Sequence, residues 1–214
     1  MAIILRKFNM NYISDNASLL IIGMQHTGKS ILIKKIIDNH NIPTGLVVKN
    51  KFINNNKYDY VSPKFIYNNI DFIKEFVKSQ IKLIKNNDNN IDSRKFIIFD
   101  DNITKDDFKN KYLLKIFSNP YELNLLCILK TIILEDIYYR LLYKNKVDYI
   151  FILKNDIYSN RKKMYDSINN KINIVFTLFC KFLDDYTNNN GCCLIIYLKS
   201  ESKNIEDIFF WYKI

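Results

Sequence analysis

The stretch Leu19–Ser30, LLIIGMQHTGKS, uses two of the chain's four glycines, Gly23 and Gly28, and follows the second with Lys29 and Ser30. It satisfies the pattern G-x-x-x-x-G-K-[ST], with an apolar run before it and the helix-like run ILIKKIID after it. Glycine permits turns that a Cβ would obstruct, so successive backbone N–H groups can converge on an anion at a helix N-terminus. The stretch therefore predicts a strand, a phosphate-binding loop and a helix in succession.

The residues of this loop form the predicted nucleotide-binding segment. Lys29 is expected to neutralise the β- and γ-phosphates, and the Ser30 hydroxyl is expected to ligate Mg²⁺. His26 is interpreted as a loop residue beside phosphate rather than as a catalyst. The predicted nucleotide-binding residues are Gly23, Met24, Gln25, His26, Thr27, Gly28, Lys29 and Ser30.

A second apolar run, FIIFDD at 96–101, ends abruptly in two acids. A phosphate site of this kind needs a carboxylate for Mg²⁺ and a base for the attacking water. We therefore assign Asp100 to Mg²⁺ and Asp101 to the activation of water. The alternative is an Asp-rich turn, because Asp106 and Asp107 follow closely.

Short apolar runs alternate with helix-like segments along the chain. Runs without polar alternation are typical of strands buried on both faces, and their alternation with helices predicts an α/β fold with a mainly parallel central sheet. The predicted strands are 19–24, 44–49, 95–100, 123–130 and 147–154, and the predicted helices are 29–38, 65–85, 108–117, 131–143 and 161–184. The runs 192–199 and 207–213 predict a terminal hairpin on the sheet edge. Since no stretch has the composition of a linker, we expect a single domain over 1–214.

The composition is that of an ordinary globular protein, with 48% hydrophobic and 25% charged residues. The formal charge of +10 suits a nucleic acid or another anionic partner, although a generally basic surface is an equal alternative. The four cysteines lie in or beside apolar runs without metal-ligand spacing, which indicates reduced thiols in an intracellular protein. No apolar run reaches the length of a membrane span, and no signal peptide is predicted.

Two other classes of nucleotide-binding protein fit less well. The sequence NKVD at 145–148 imitates the guanine-reading motif of GTPases, but it precedes an apolar run, whereas the GTPase motif follows a strand. A small nucleoside or nucleotide kinase would need a mobile, arginine-bearing lid over the phosphates. Arginine occurs only at positions 6, 94, 140 and 161.

From about Ser18 to Lys213 the chain resembles the virion DNA-packaging ATPases of nucleocytoplasmic large DNA viruses and virophages, within the FtsK/HerA type. The loop GMQHTGKS with FIIFDD carries the first part of the resemblance. The segment 119–130, NPYELNLLCILK, is similar to the family's sensor strand. The segment 144–151, KNKVDYIF, is similar to the family's Arg-x-Asn-x-Asp-apolar element. The ending at 193–213, CLIIYLKSESKNIEDIFFWYK, is similar to its closing hairpin.

The resemblance implies a RecA-like three-layer P-loop fold and a homo-oligomeric ring, hexamer or pentamer, with ATP and Mg²⁺ bound between neighbours. It implies double-stranded DNA in the centre, a capsid protein as docking partner, and a location in the host cytoplasm, at the viral factory, or in the virion. The function implied is an ATP-driven DNA translocase that packages a viral genome. The alternative is a diverged nucleotide-binding ring or scaffold with little turnover.

The resemblance also places catalytic positions on residues that differ from the family pattern. Lys130 occupies the position where the family has its sensor Gln, and Lys144 occupies the position where the arginine finger is expected. Asn119 and Pro120 replace the usual Arg-His. Lysine lacks the planar fork that grips a γ-phosphate, and unlike Gln it cannot accept a hydrogen bond from water. We therefore expect slow hydrolysis unless a partner subunit completes the site.

Overall fold

The strands of the computed structural model join into one sheet. The structure describes residues 3–49, 55–86, 91–101, 103–104, 106–132, 146–172, 174–189 and 191–214. Its strands are β1 Arg6–Lys7, β2 Ser18–Ile22, β3 Thr44–Lys49, β4 Ile66–Tyr67, β5 Lys95–Asp100, β6 Leu125–Thr131, β7 Tyr149–Ile152, β8 Cys192–Tyr197 and β9 Phe209–Lys213. Its helices are α1 Lys29–His40, α2 Ile73–Asn86, α3 Lys111–Ser118, α4 Tyr158–Ile168 and α5 Phe176–Thr187.

The described strands follow the order β1-β9-β8-β7-β2-β6-β5-β3-β4. All pairs from β7 through β2, β6, β5 and β3 to β4 are parallel, whereas β8 is antiparallel to both β7 and β9. This confirms the predicted α/β class, the mainly parallel sheet and the C-terminal hairpin. The hairpin is not the edge, however, because β1 pairs in parallel with β9. The N–H of Phe8 donates to the carbonyl of Trp211 at 2.8 Å and extends this pairing.

Helices cover both faces of the sheet, and β2 shows why its sequence lacks polar alternation. Leu19 and Ile21 lie on the face that packs against α1, in a core that includes Ile33. Leu20 and Ile22 lie on the opposite face, in the core formed with α2, α3, α4 and α5. Successive side chains of a strand point to opposite faces, so a strand between two helical layers must be apolar throughout.

The predicted helix 65–85 was too long at its start. α2 begins at Ile73, and Ile66 and Tyr67 instead form β4, which pairs with β3. The residues between contain a local turn, in which the side chain of Asn69 both accepts from the N–H of Asp71 and donates to its carboxylate. Such short-range bonds offer the backbone an alternative to the helix and delay its start.

The predicted helix 161–184 was wrong as a single element. The structure has two helices there, α4 and α5. Between them Ile172 and Ile174 are buried in the core, so the connection turns inward rather than continuing along the surface. The predicted helix 131–143 falls almost wholly on residues outside the described part of the chain. Among the described residues, no helix has both the length and the apolar character needed to cross a membrane.

The strand order brings three carboxyl ends together at one edge. β6 lies between β2, which leads into the glycine-containing loop, and β5, which ends in Asp100. In this register Lys130 of β6 is paired with Ile21 on one side and with Asp100 on the other. Ligand sites of parallel α/β sheets lie at this edge, outside the carboxyl ends of the strands.

Candidate functional site

The two glycines of the loop serve different purposes. Gly28 is left-handed, with φ 103°, and stands immediately before the first residue of α1. Gly23 is not in the left-handed region; a Cβ there would lie 2.8 Å from the Cβ of Leu153, just after β7. The expected turn is therefore found at Gly28, whereas Gly23 permits close packing against the neighbouring strand.

Lys29 holds the loop closed. Its ammonium donates to the carbonyls of Gly23 at 2.5 Å and Met24 at 2.6 Å. The hydroxyl of Thr27 donates to the same Met24 carbonyl at 2.8 Å. Burial, and next the charge of Lys130, lower the pKa of Lys29 from 10.5 to about 8. The loop therefore presents a buried ammonium whose charge an incoming anion would stabilise.

Asp100 lies at the end of β5 and is fully buried. Its Oδ2 atom accepts from the hydroxyl of Tyr58 and from the ammonium of Lys130, at 2.8 Å for the lysine. Burial and the charge of Asp100 raise the pKa of Tyr58, which keeps its hydroxyl protonated and able to donate. The Oδ1 atom is buried and has no hydrogen-bond partner among the described residues.

Asp101 faces the end of β6 with a left-handed backbone, φ 49°. Its carboxylate accepts from the N–H of Ile132 at 3.1 Å and from the side chain of Thr131. Burial, and next the negative charge of Asp100, raise the pKa of Asp101. A carboxylate with a raised pKa is a stronger base, which suits the predicted task of taking a proton from water.

Lys130 occupies the place where the sequence predicts a metal ion. Its Nζ lies 2.8 Å from Asp100 Oδ2 and 3.3 Å from Ser30 Oγ, and these are the two side chains assigned to Mg²⁺. Two unit charges 4 Å apart repel by about 4 kcal/mol at an effective dielectric constant of about 20, and a divalent ion doubles that figure. The donor atoms suit Mg²⁺, but the space between them holds an ammonium, so the residues present do not fit the ion.

These residues open onto one cavity of about 450 Å³. It brings together most of the predicted loop with both acids and Lys130, whereas Gly23, Met24 and Thr27 of the loop do not line it. The cavity is lined by Gln25, His26, Gly28, Lys29, Ser30, Ile31, Lys57, Asp100, Asp101, Lys130 and Ile132. Its lining therefore carries three lysines and two aspartates, which leaves one positive charge in excess and favours an anionic ligand.

Several residues of this site were not predicted from the sequence, and three of them have polar side chains. Tyr58 holds Asp100, Lys57 lines the cavity, and Thr131 holds Asp101. Lys57 and Tyr58 belong to the short 3₁₀ turn Asn55–Tyr58, where no hydrophobic period marks a position. Thr131 ends β6 directly after Lys130, and its place beside Asp101 depends on the pairing of β5 with β6.

Other residues considered from the sequence lie either outside the described part of the chain or away from the cavity. Lys144, Arg140 and Asn145 lie outside the described residues. Asp148 of the NKVD sequence accepts from the N–H of Ser18 at 2.7 Å, at the amino end of β2 and thus at the edge opposite the loop. The arginines of the described part form ion pairs elsewhere: Arg6 with Asp207, Arg94 with Asp15 and Asp92, and Arg161 with Asp184.

No model of a known protein family matches the sequence. The chain is 26% identical over 223 residues to the uncharacterized protein L437 of Acanthamoeba polyphaga mimivirus, covering 98% of this chain and 76% of that protein.

Several solved structures resemble the chain in fold. The genome packaging NTPase B204 from Sulfolobus turreted icosahedral virus 2, in complex with AMPPCP, aligns with a TM-score of 0.65 and 16% identity, over 94% of this chain and 98% of B204. The chain has a P-loop NTPase fold. The Type VII secretion ATPase EccC of Thermomonospora curvata aligns with a TM-score of 0.58 and 12% identity, over 92% of this chain and 25% of EccC. The P-loop NTPase fold agrees with the resemblance to viral packaging ATPases noted in the sequence.

Proposed function

We propose that this protein is an ATP-driven translocase of double-stranded DNA that packages a viral genome into its capsid. The observation that carries the proposal is the meeting of the loop, Asp100 and Asp101 at one cavity with an excess of positive charge. The likeness to B204, described as a genome packaging NTPase, extends over 94% of the chain and supports the same class. In this proposal the protein acts as a homo-oligomeric ring and docks on a capsid protein.

The chemistry proposed follows from the residues of the cavity. The backbone N–H groups at the start of α1 and the ammonium of Lys29 bind the phosphates of ATP. Asp101 orients the attacking water and takes its proton. Because the hydrogen bonds from Ile132 and Thr131 fix the carboxylate of Asp101, it needs little reorganisation when the water is activated.

The test is ATP turnover by the purified protein, measured with and without double-stranded DNA. We expect DNA to stimulate turnover, and we expect Lys29→Ala to lower turnover by about 100-fold or more, since it removes a charge at the phosphates. Lys35→Ala is the matched control, because Lys35 is an exposed lysine of the same helix. Unchanged nucleotide affinity and turnover in a folded Lys29→Ala protein would contradict the proposal.

A second function is favoured by one specific observation. The ammonium of Lys130 lies between Ser30 and Asp100, and no arginine of the described residues lines the cavity. A site of this kind could bind ATP in order to assemble a ring or scaffold, with little hydrolysis. In that case ATP binds and promotes assembly, but DNA leaves the turnover at its background rate.

A further inference from the structure

The position of Lys130 is set by the sheet rather than by a mobile side chain alone. β6 is inserted between β2 and β5, and its register sets Lys130 directly beside Asp100. Residues paired on neighbouring strands point to the same face of a sheet, so both side chains rise together at the carboxyl edge. The lysine is only 5% exposed, so the surrounding residues restrict its ammonium to this position beside Asp100.

We propose that the ammonium of Lys130 is a tethered cation that takes the place of the divalent ion, so that the site binds ATP in the absence of Mg²⁺. This rests on the proposed nucleotide site. The ammonium contacts both side chains that would otherwise coordinate the metal, Ser30 and Asp100. An ammonium has three N–H donors, so one remains for an oxygen of the bound phosphates after these two contacts.

The surroundings hold the ammonium in place. The Tyr58 hydroxyl donates to the same Asp100 oxygen that accepts from Lys130, and the Tyr58 ring centroid lies 5.8 Å from the lysine nitrogen. A cation near an aromatic face gains further stabilisation, and more when it is shielded from water. Tyr58 thereby fixes the carboxylate and contacts the cation, which favours one arrangement of the pair.

The charge of the cavity also favours binding of a nucleotide without a metal ion. A nucleoside triphosphate needs its phosphates neutralised, and a divalent ion usually supplies part of that charge. Here Lys29, Lys57 and Lys130 outnumber Asp100 and Asp101 in the cavity lining. The lining therefore supplies one positive charge in excess, which is part of the neutralisation that a metal ion would otherwise provide.

The experiment measures the affinity of the full chain for AMPPCP, a non-hydrolysable ATP analogue, once with millimolar Mg²⁺ and once with EDTA. We expect the two affinities of the unmodified protein to agree within about threefold. In Lys130→Gln we expect the affinity in EDTA to fall by about 10- to 100-fold, the range for losing a hydrogen bond to a charged group, and Mg²⁺ to restore it. The decisive quantity is the ratio of the two affinities.

The control is Lys57→Gln, which removes an exposed lysine from the same cavity. It should lower the affinity equally in both conditions and leave the ratio unchanged. Because Lys130→Gln leaves the buried Asp100 without its cation and could impair folding, the double variant Asp100→Asn/Lys130→Met removes both charges together. Its affinity in EDTA should also fall by about tenfold or more, and an unchanged value would overturn the proposal.

The outcomes separate this proposal from the one on which it rests. If the unmodified protein binds the analogue only with Mg²⁺, the tethered cation is wrong and the nucleotide site stands. If the folded protein binds the analogue in neither condition, the nucleotide site itself is wrong and the tethered cation falls with it. Equal affinities in the unmodified protein, with Mg²⁺ dependence only in Lys130→Gln, support the assignment.

Discussion

Lys29 couples the proposed nucleotide site to pH. Burial and Lys130 lower its pKa to about 8, and bound phosphates would raise it again by favouring the charged form. Nucleotide affinity should therefore be highest below pH 8, where Lys29 is charged. It should decrease as the pH rises above 8, by up to about tenfold per pH unit. Titration calorimetry from pH 7 to pH 10 measures this decrease. Lys29→Arg keeps its charge throughout, so a decrease of the same size in that variant would assign the pH dependence to another group.

Without nucleotide the same pKa shift acts on stability with the opposite sign. Between the folded pKa of about 8 and the ordinary value of 10.5, Lys29 is protonated in a larger fraction of unfolded chains than of folded chains. The contribution of Lys29 to the free energy of unfolding therefore rises with pH in this window.

Asp101 is the base in the proposed reaction, and its replacement should separate binding from turnover. Asp101→Asn keeps the size of the side chain and its contact with the Ile132 N–H, but it cannot take a proton. We expect turnover to fall by about 10²- to 10⁴-fold with nucleotide affinity nearly unchanged. Asp106→Asn, an exposed aspartate a few residues later, is the control and should leave both quantities as they are. Equal losses in the two variants would refute the assignment.

At the residue scale, the part of the site that is contiguous in sequence could be predicted and the part that depends on strand pairing could not. The loop 23–30 carries its own pattern, and the two acids mark the end of an apolar run. The contacts of Lys130 with Ser30 and Asp100 required the order of β2, β6 and β5, which no local pattern contains. The sequence therefore placed Lys130 at the site through a resemblance, but not as a partner of Asp100.

α1 is the element that positions the loop, and two isoleucines test how it is anchored. Ile33 is fully buried against the sheet, whereas Ile31 is 60% exposed on the same helix. Ile33→Ala should destabilise the protein by about 2–5 kcal/mol because it leaves a cavity in the core. Ile31→Ala should change the stability by no more than about 0.5 kcal/mol. Denaturant unfolding of both variants gives the comparison, and equal values would show that α1 packs differently.

Strands and helices were predicted correctly where helices cover both faces of a strand, and incorrectly where tertiary contacts decide where a helix ends. The apolar runs of β3 and β5 matched their strands because helices bury both faces. The prediction of one long helix over 161–184 was wrong because the apolar spacing continues through Ile172 and Ile174. These two residues are buried in the connection between two helices, not in a helix. Apolar spacing does not reveal whether a buried side chain reaches the core from a helix or from a connection.

At the scale of the whole molecule, the net charge makes a prediction about DNA. A translocase must grip every phosphate that it passes, so binding should be almost independent of sequence and should release counterions. With a formal charge of +10, the protein has enough basic residues for six or more phosphate contacts, which would weaken binding by about 10³-fold or more from 50 to 200 mM salt. Fluorescence anisotropy with two unrelated duplexes of equal length tests both points, and matched short single strands show whether the duplex is preferred.

Affinity that hardly changes with salt would mean that the positive charge is only a generally basic surface. A strong preference for one of the two duplexes would contradict a motor that acts on any sequence.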